Sequence, residues 1–526
     1  MSKKFVKVLI CIMLSLVIAL TGCSNGTNNT ETPVGPSTGD NTNADTAKKD
    51  TLVVGQGVEP STLDTIATSD NFSVHYQIYD TLVREDNDED ATLIPSLAEE
   101  WKVSDDGTEI TFFLRKDVKF HNGDTLTAED VAWTINRAIE SPFTTQMTSS
   151  MEKAEIIDDN TVKVILKYPY GAALKCFVTP ALQIQSKKAY EDNPEEYGMN
   201  PVATGPYKVK EWVRGDKIVL EAFPDYWRGE APIKNLIFKT IPDRSTQVIA
   251  LEKGELDVLD NNPSQDARQS FIDNPDLIFD ECESNAFLNL MLNNGEGYFK
   301  DKKVREAVSY AINREDIING AKDGVGIPLE VVLLQSLSEF PQDLKANSYN
   351  PEKAKQLLAE AGYPNGFTVK MKTIDSPTYI KPTEVIQQQL RDVGINIEIE
   401  VMERGKYMSD IIANSDFDIT FWAIISKVMD ADYCQYSLFH SDNMNGNGNY
   451  INVNIPELDE LLDRGRTSLD PEERKEIYAR TCEIINEESL IIPLFINTRT
   501  VVYNKDLKGV HINPAYRFYY YDCSWE

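Results

Sequence analysis

The densest group of chemically active side chains lies in one stretch, SDDGTEITFFLRKDVKFHNGDTLTAEDV, from Ser104 to Val131. It holds one histidine, five aspartates and two glutamates within 28 residues. Carboxylates near an imidazole can bind a metal ion or act as a general acid and base. The order of the residues around them decides between a reactive site and a scaffold.

The spacing within this stretch favours a scaffold. Asp105–Gly107 is a turn sequence, and apolar and polar residues then alternate from Ile110 to Leu114, as in a half-buried strand. Thr127 precedes Asp130 by three residues, a capping-box pattern that predicts the start of a helix. The aspartates therefore serve turns and a helix cap. His121 has no second histidine at the spacing of metal ligands.

The rest of the sequence lacks the spacings that mark common catalytic sites. There is no G-x-S-x-G, H-E-x-x-H, C-x-x-C or G-x-x-x-x-G-K-[ST]. The run from Asp86 to Asp90 begins like a calcium loop, but Ala91 and Leu97 stand where the loop needs glycine and glutamate. The histidines are scattered, at His75, His121, His440 and His511. We predict that the protein is not an enzyme and uses no cofactor or metal.

The N-terminus predicts export and lipidation. Basic residues precede an apolar run from Val8 to Leu20, which as a helix would span about 20 Å, less than the roughly 30 Å of a membrane core. Residues 1–22 are therefore read as a signal peptide. The run ends in LTGC, Leu20 to Cys23, which resembles the lipobox of bacterial lipoproteins and implies lipid attachment at Cys23. We expect a protein on the outer face of the cytoplasmic membrane, held by this anchor.

Residues 23–50 contain almost no large apolar side chain, so we read them as the lipidated cysteine and a flexible linker. As a coil, this segment reaches on the order of 30 Å.

Lys and Arg number 52 against 84 Asp and Glu, a net charge of −32. This charge repels phosphate backbones and argues against a nucleic-acid partner. A chain of 526 residues predicts two or three domains.

Elements in the folded part indicate an α/β protein. TLVVGQG, starting at Thr51, predicts a buried strand. Asn350 and Pro351 predict a helix start, and Gly362 predicts its end. Strands FTVKMKTI, INIEIEV and FDITFWAII alternate with helical patterns, which implies a parallel sheet covered by helices. Ligands bind beyond the carboxyl ends of such strands, which indicates the loop after Ile425.

Several segments in a fixed order resemble the extracellular solute-binding proteins of peptide ABC transporters. The opening stretch with PSLAEEW before it is one. The others are EPSTLD, ATGPYKVKEW, DYWRGEAPIKN, DKKVREAVSYAINREDI, NPEKAKQLLAEAGYPNGF and IIPLFINTR. The resemblance covers essentially all of Thr51 to Glu526, and it includes relatives that bind nickel, haem or oligosaccharides.

The resemblance implies a type II periplasmic-binding-protein fold: two α/β lobes, a hinge, and a subdomain inserted in the first lobe. The expected boundaries are 51–283 for lobe I, 84–187 for its insert, 284–496 for lobe II and 497–526 for a return to lobe I. The two hinge crossings are expected near Glu283 and Ile496. The function implied is capture of a small peptide or similar solute by lobe closure and delivery to ABC permease subunits. The alternative is a non-peptide ligand, and we expect a monomer.

In peptide-binding members of the family, an aspartate shortly after a tryptophan anchors the ligand's ammonium group. Alignment from Phe417 to Ser437 places Lys427 at the aspartate position and Ile424 at the tryptophan position, with Trp422 two residues early. A lysine would repel an ammonium group by about 1 kcal/mol at 4 Å in water.

Three interpretations of this departure remain open. Lys427 pairs with a ligand carboxylate, Asp430 or Asp432 supplies the anchor from a shifted loop, or Lys427 is simply solvated. The predicted ligand-binding residues are Thr68, Ser69, Asn71, Trp422, Ser426, Lys427, Asp430 and Asn497. For Trp422 the alternative is the core, and for Asn497 an ordinary place in the hinge.

Overall fold

A computed structural model describes residues 49–69, 72–86, 92–260, 263–444, 446, 448–515 and 517–526. The predicted signal peptide, Cys23, the linker up to residue 48, Asn71 and residues 87–90 of the acidic run lie outside these ranges. Within the described part, no helix is long and apolar enough to cross a membrane. The removal of the signal peptide and the lipid attachment at Cys23 therefore stay predictions.

The strands, in chain order, are β1 (Thr51–Gln56), β2 (Val83–Glu85), β3 (Leu93–Pro95), β4 (Ala98–Val103), β5 (Glu109–Leu114), β6 (Met151–Asp158), β7 (Thr161–Leu166), β8 (Tyr207–Val213), β9 (Lys217–Ala222), β10 (Asn235–Thr240), β11 (Val258–Asp260), β12 (Leu277–Leu292), β13 (Ile327–Pro328), β14 (Phe367–Ile374), β15 (Ile395–Met402), β16 (Ile419–Ile425), β17 (Ile491–Asn504), β18 (Leu507–Lys508) and β19 (Ser524–Trp525).

The helices are α1 (His75–Ile78), α2 (Ala128–Glu140), α3 (Thr145–Thr148), α4 (Ala173–Cys176), α5 (Lys187–Asp192), α6 (Pro194–Tyr197), α7 (Arg244–Glu252), α8 (Gln265–Asp273), α9 (Lys302–Ala311), α10 (Arg314–Ala321), α11 (Pro351–Glu360), α12 (Pro377–Asp392), α13 (Arg404–Tyr407), α14 (Ala431–Phe439), α15 (Pro456–Thr467) and α16 (Pro471–Glu487).

One large mixed sheet runs through the molecule in the order β15-β14-β16-β12-β17-β11-β1-β10-β9-β8, and β13 pairs with β17. We call the part containing β1 and β8–β11 the first lobe, and the part containing β14–β16 the second lobe. The long strands β12 and β17 belong to both. Their pairing becomes irregular between Glu283 and Phe287, opposite Thr498 and Ile496, and the predicted crossings at Glu283 and Ile496 fall at this irregularity.

The second lobe contains the predicted parallel strands. β14 pairs in parallel with both β15 and β16, so all three end at the same edge of the sheet. The α11 helix begins as predicted, because the Asn350 side chain accepts a hydrogen bond from the backbone N–H of Lys353 at 3.0 Å. Gly362, with φ of +93°, follows the end of this helix.

A separate antiparallel sheet, in the order β4-β5-β7-β6, carries the acidic stretch. We call this sheet and the helices packed on it the insert. Buried side chains of β5 and of α2, such as Phe112 and Ile135, form its core. The predicted capping box is confirmed: the N–H of Thr127 donates to Asp130 Oδ2 at 3.1 Å, and α2 starts at the next residue.

Candidate ligand-binding site

A cavity of about 510 Å³ lies between the two lobes. The first lobe contributes residues 54–57 at the end of β1 and side chains from the segment 65–76. The second lobe side contributes the start of its part of β12 and the end of β16, and the insert contributes residues near 143–147 and 179–181. Ligand pockets usually measure about 300–1,000 Å³, so this cavity suits a small solute.

The cavity is largely walled by apolar and aromatic side chains. They come from the first lobe and the insert and comprise Phe72, Tyr76, Phe143, Met147, Phe238 and Tyr520. Polar groups are interspersed, among them the hydroxyls of Thr65, Thr68 and Ser69. Such a lining holds the apolar body of a ligand and orients it with a few hydrogen bonds.

Among the described residues, two side chains of ordinarily charged type line the cavity, Asp260 and Lys427. Asp260 is paired with the buried Arg499, whose Nη2 lies 2.6 Å from Asp260 Oδ2 and whose Nε lies 3.2 Å from Oδ1. This two-pronged pair neutralises the carboxylate. No carboxylate of the described part of the chain lies within 4 Å of the Lys427 ammonium, so its charge has no counter-ion among the described lining residues.

The backbone around Lys427 is held by hydrogen bonds on both sides. The N–H of Ser426 donates to the Asn285 carbonyl at 2.8 Å, and Asn285 Nδ2 donates to the Ser426 carbonyl at 2.8 Å. Ser426 Oγ donates to the Val428 carbonyl at 2.6 Å. Ser426 and Val428 are fully buried, which fixes the residue between them at the cavity wall.

Burial lowers the pKa of the Lys427 ammonium. The physical cause is lost hydration, since a partly buried cation gives up part of its water shell without gaining a counter-ion. Lys427 is therefore a half-buried cation that faces a ligand-sized cavity.

The structure brings together three of the predicted site residues. Thr68, Ser69 and Lys427 line the cavity, and the segment following Ile425 lies beyond the carboxyl end of β16, as predicted. Asn71 lies outside the described residues. Contact of each of these with a ligand stays a prediction.

Neither Trp422 nor Ser426 is among the described residues that line the cavity. The Trp422 ring stacks on Tyr407 with ring centres 5.2 Å apart, and it also contacts Tyr379. It is partly buried and packs against the core of the second lobe. Ser426 is buried and acts through the loop contacts described above.

Asp430 and Asp432 are also buried away from the cavity. Asp430 Oδ1 lies 2.5 Å from Arg474 Nη2, while Asp432 accepts hydrogen bonds from Arg466 Nε at 3.0 Å and from the Tyr170 hydroxyl at 3.1 Å. Their oxygens are occupied by cations and a phenol. Neither is placed to supply the ammonium anchor from a shifted loop.

Asn497 lines a second cavity, of about 630 Å³, rather than the one that holds Lys427. This second cavity is lined by α7 and α8 of the first lobe and by the start of α12 in the second. Within the described residues, Asn497 Oδ1 is buried and has no hydrogen-bond partner.

The sequence reasoning missed Asp260 and Asn285. Asp260 ends β11, and Asn285 lies in β12 at the irregular pairing. The end of a short buried strand is a signal that would have indicated Asp260, because ligands bind at such ends. The missed aromatic wall has no comparable signal, since apolar side chains in sequence look the same in a core and in a pocket.

The contacts of His121 are structural, and they do not form a reactive site. Its Nε2 donates to the Gly205 carbonyl at 3.0 Å, and its Nδ1 accepts from the N–H of Ala203 at 3.4 Å. Burial lowers its pKa to about 4. Among the residues that the structure describes, no group of three or more potential metal ligands occurs.

A two-lobed α/β fold with a ligand-sized cavity between the lobes defines a solute-binding protein. Residues 92–446 match the family of bacterial extracellular solute-binding proteins, family 5. The glutathione-binding protein GsiB of Shigella boydii serotype 4 is 30% identical over 495 residues, covering 91% of this chain and 94% of that protein.

Solved structures agree with this match. HbpA2 of Haemophilus parasuis is similar with a TM-score of 0.83 and 27% identity, over 90% of this chain and 100% of that one. DppA of Helicobacter pylori, an ABC transporter-associated periplasmic binding protein in complex with the peptide STSA, has a TM-score of 0.77 and 26% identity, over 91% and 98%.

The chain belongs to the extracellular solute-binding proteins of family 5, the substrate-binding proteins of ABC transporters. The predicted family and the predicted two-lobed α/β fold are thereby confirmed. The substrate-binding role in an ABC import system is confirmed with them.

Proposed function

We propose that the chain captures a small peptide or a related solute between its lobes and passes it unchanged to the permease of an ABC importer. The observation that carries the proposal is the cavity lined from both lobes and the insert. A ligand there gains contacts with both lobes only when they are together, so binding favours the closed form.

Relatives support a peptide-like ligand. One similar protein is named for glutathione, and another was solved with the peptide STSA. The polar groups and aromatic walls of the cavity suit an extended backbone with side chains in roomy pockets. No chemistry is required of the protein in this role, and a bound peptide should be recovered intact after incubation with it.

Thermal shift tests the proposal. Short peptides should raise the melting temperature in proportion to the logarithm of their concentration once the protein is near saturation. Small-angle scattering of the same samples should show a smaller radius of gyration with ligand than without. A chain that no solute stabilises, and whose scattering never changes, would contradict ligand capture by closure.

The alternative is the same role for a non-peptide solute such as an oligosaccharide, a nickel complex or haem. The lysine at the position where peptide-binding members have an aspartate favours it. Stabilisation by sugars or metal chelates, with none by peptides, would establish this alternative.

The lipid anchor and the domain boundaries belong to the proposal as well. Lipid at Cys23 would hold a monomeric receptor at the membrane surface, with residues 24–50 as the tether. Phase separation in Triton X-114 tests the anchor: the full chain expressed in a bacterial host should enter the detergent phase, and the Cys23→Ala variant should not.

A further inference from the structure

The charges that line the cavity between the lobes are unbalanced. Asp260 is engaged through both oxygens by Arg499, whereas Lys427 has no carboxylate within 4 Å among the described residues. The whole chain carries a net charge of −32, so an uncompensated cation in its central cavity is not a result of basic composition.

The neighbouring carboxylates cannot take the place of a counter-ion. Asp430 is held by Arg474 and Lys175, and Asp432 is held by Arg466. Both are buried and do not line the cavity. Within the described residues, no carboxylate is left to pair with Lys427; Asp70, next in sequence to the cavity-lining Ser69, lies outside them.

The geometry around Lys427 is prepared before a ligand arrives. Its two neighbours are fully buried, and Asn285 hydrogen-bonds the backbone of Ser426 in both directions. A backbone that is already fixed removes part of the conformational cost of binding, which favours affinity. The opposite wall is aromatic, with Phe72, Tyr76 and Phe143 among its side chains.

We infer that Lys427 determines specificity by binding a carboxylate of the solute, so that the ligand presents an anionic group to the second lobe and an apolar body to the first. This inference rests on the proposed function, since it assumes that the cavity between the lobes holds the ligand. Burial without a counter-ion lowers the pKa of Lys427. A bound carboxylate supplies the counter-ion and offsets this effect.

Three sources can supply such a carboxylate: the C-terminus of a peptide, an acidic side chain or the α-carboxylate of a γ-glutamyl residue, or a non-peptide carboxylic acid. Matched probes distinguish them. Isothermal titration calorimetry of the purified full-length chain would use di- to pentapeptides as free acids, as C-terminal amides and as N-acetyl derivatives. γ-Glutamyl peptides and aromatic monocarboxylic acids complete the set.

We expect the loss of the recognised carboxylate to weaken binding at least tenfold, and N-acetylation to change it less than threefold. Lys427→Met should remove the difference between each acid and its amide, and Lys427→Arg should keep it. The control is Lys322→Met, which removes the same charge from a half-buried lysine of the second lobe that lines the other cavity. It should bind like the wild type.

Three results would overturn the inference. If Lys427→Met binds acids and amides exactly as the wild type does, the lysine is not the determinant, although the capture of peptides between the lobes still holds. If N-acetylation abolishes binding while amidation leaves it intact, the second lobe recognises an ammonium group after all. A chain that binds no peptide or acid at all would contradict the proposed peptide ligand together with this inference.

Discussion

Lys175, on α4 of the insert, lies 3.2 Å from the buried carboxylate of Asp430 in the second lobe. Arg474 approaches the other oxygen of the same carboxylate at 2.5 Å. Although burial opposes ionisation, Lys175 and Arg474 hold the pKa of Asp430 below its usual value. Val428 packs against the core of the insert at the same place, so this ion pair joins the two bodies beside the cavity.

Removal of the Asp430 charge should strongly destabilise the fold. Asp430→Asn leaves Arg474 and Lys175 without their counter-ion, and breaking one side of a buried ion pair typically costs about 3–5 kcal/mol. Urea denaturation followed by fluorescence measures the loss. The control is Asp276→Asn, which breaks an exposed pair with Lys505 and should cost less than about 1 kcal/mol. Equal effects of the two variants would contradict the structural role of Asp430.

Two buried groups give opposing pH dependences. Burial lowers the pKa of His121 to about 4, whereas an unfolded histidine titrates near 6.5. The unfolded chain therefore takes up a proton at His121 first, and the free energy of unfolding falls as the pH drops from about 6.5 to 4. Burial raises the pKa of Asp80 to about 6, so there the folded chain takes up the proton first and stability rises over a similar range.

Each of these contributions is about 3 kcal/mol, and they largely cancel in the wild type. Asp80→Asn should make the protein more sensitive to acid between pH 6.5 and 4, and His121→Gln should make it less sensitive. Urea unfolding at pH 7, 5.5 and 4.5 gives the slopes. Parallel pH profiles for both variants and the wild type would show that neither group is coupled to folding.

Trp422 should matter for stability and not for the ligand. Its ring stacks on Tyr407 within the core of the second lobe, so Trp422→Phe should cost about 1–2 kcal/mol of unfolding free energy and change ligand affinity less than twofold. Phe143→Leu is the matched opposite, because Phe143 lines the cavity and is 49% exposed. It should weaken binding several-fold with little effect on stability. If Trp422→Phe instead weakened binding several-fold with little effect on stability, the tryptophan would contact the ligand.

Reversal of the charge at residue 427 should change which peptides bind. A lysine disfavours an ammonium group at 4 Å by about 1 kcal/mol even in water, and an aspartate favours it by a similar amount. C-terminal amides with a free amine, which lack a terminal carboxylate for Lys427, should therefore bind Lys427→Asp roughly thirtyfold more tightly than the wild type, and free acids should bind the variant less tightly. Titration calorimetry measures the change, and an unchanged affinity would mean that residue 427 does not contact the ligand.

Local patterns were enough to predict much of the fold. Hydrophobic alternation predicted β5, the Thr127–Asp130 spacing predicted the start of α2, and Asn350 with Pro351 predicted the start of α11. These features depend on neighbours within one turn or one strand, so the chain specifies them without its tertiary partners. The order of the motifs likewise identified the family.

Only part of the candidate site could be predicted in the same way. Thr68, Ser69 and Lys427 were found by alignment and by the rule that ligands bind beyond strand ends. The surroundings of Trp422 and Asp430 depend on contacts with remote residues. Trp422 packs against another aromatic ring, and Asp430 pairs with an arginine 44 residues away. No local pattern contains that information.

The amino-acid sequence by itself determined the class of the protein and many of its elements, and it indicated the cavity loop that holds Lys427. The tertiary structure alone decided the electrostatics of the cavity. Arg499, 239 residues away in sequence, pairs with Asp260 and compensates its negative charge. No carboxylate of the described residues pairs with Lys427, so the positive charge of Lys427 is not compensated. Charge pairing depends on distances of a few ångströms between remote segments, and those distances exist only after the chain has folded.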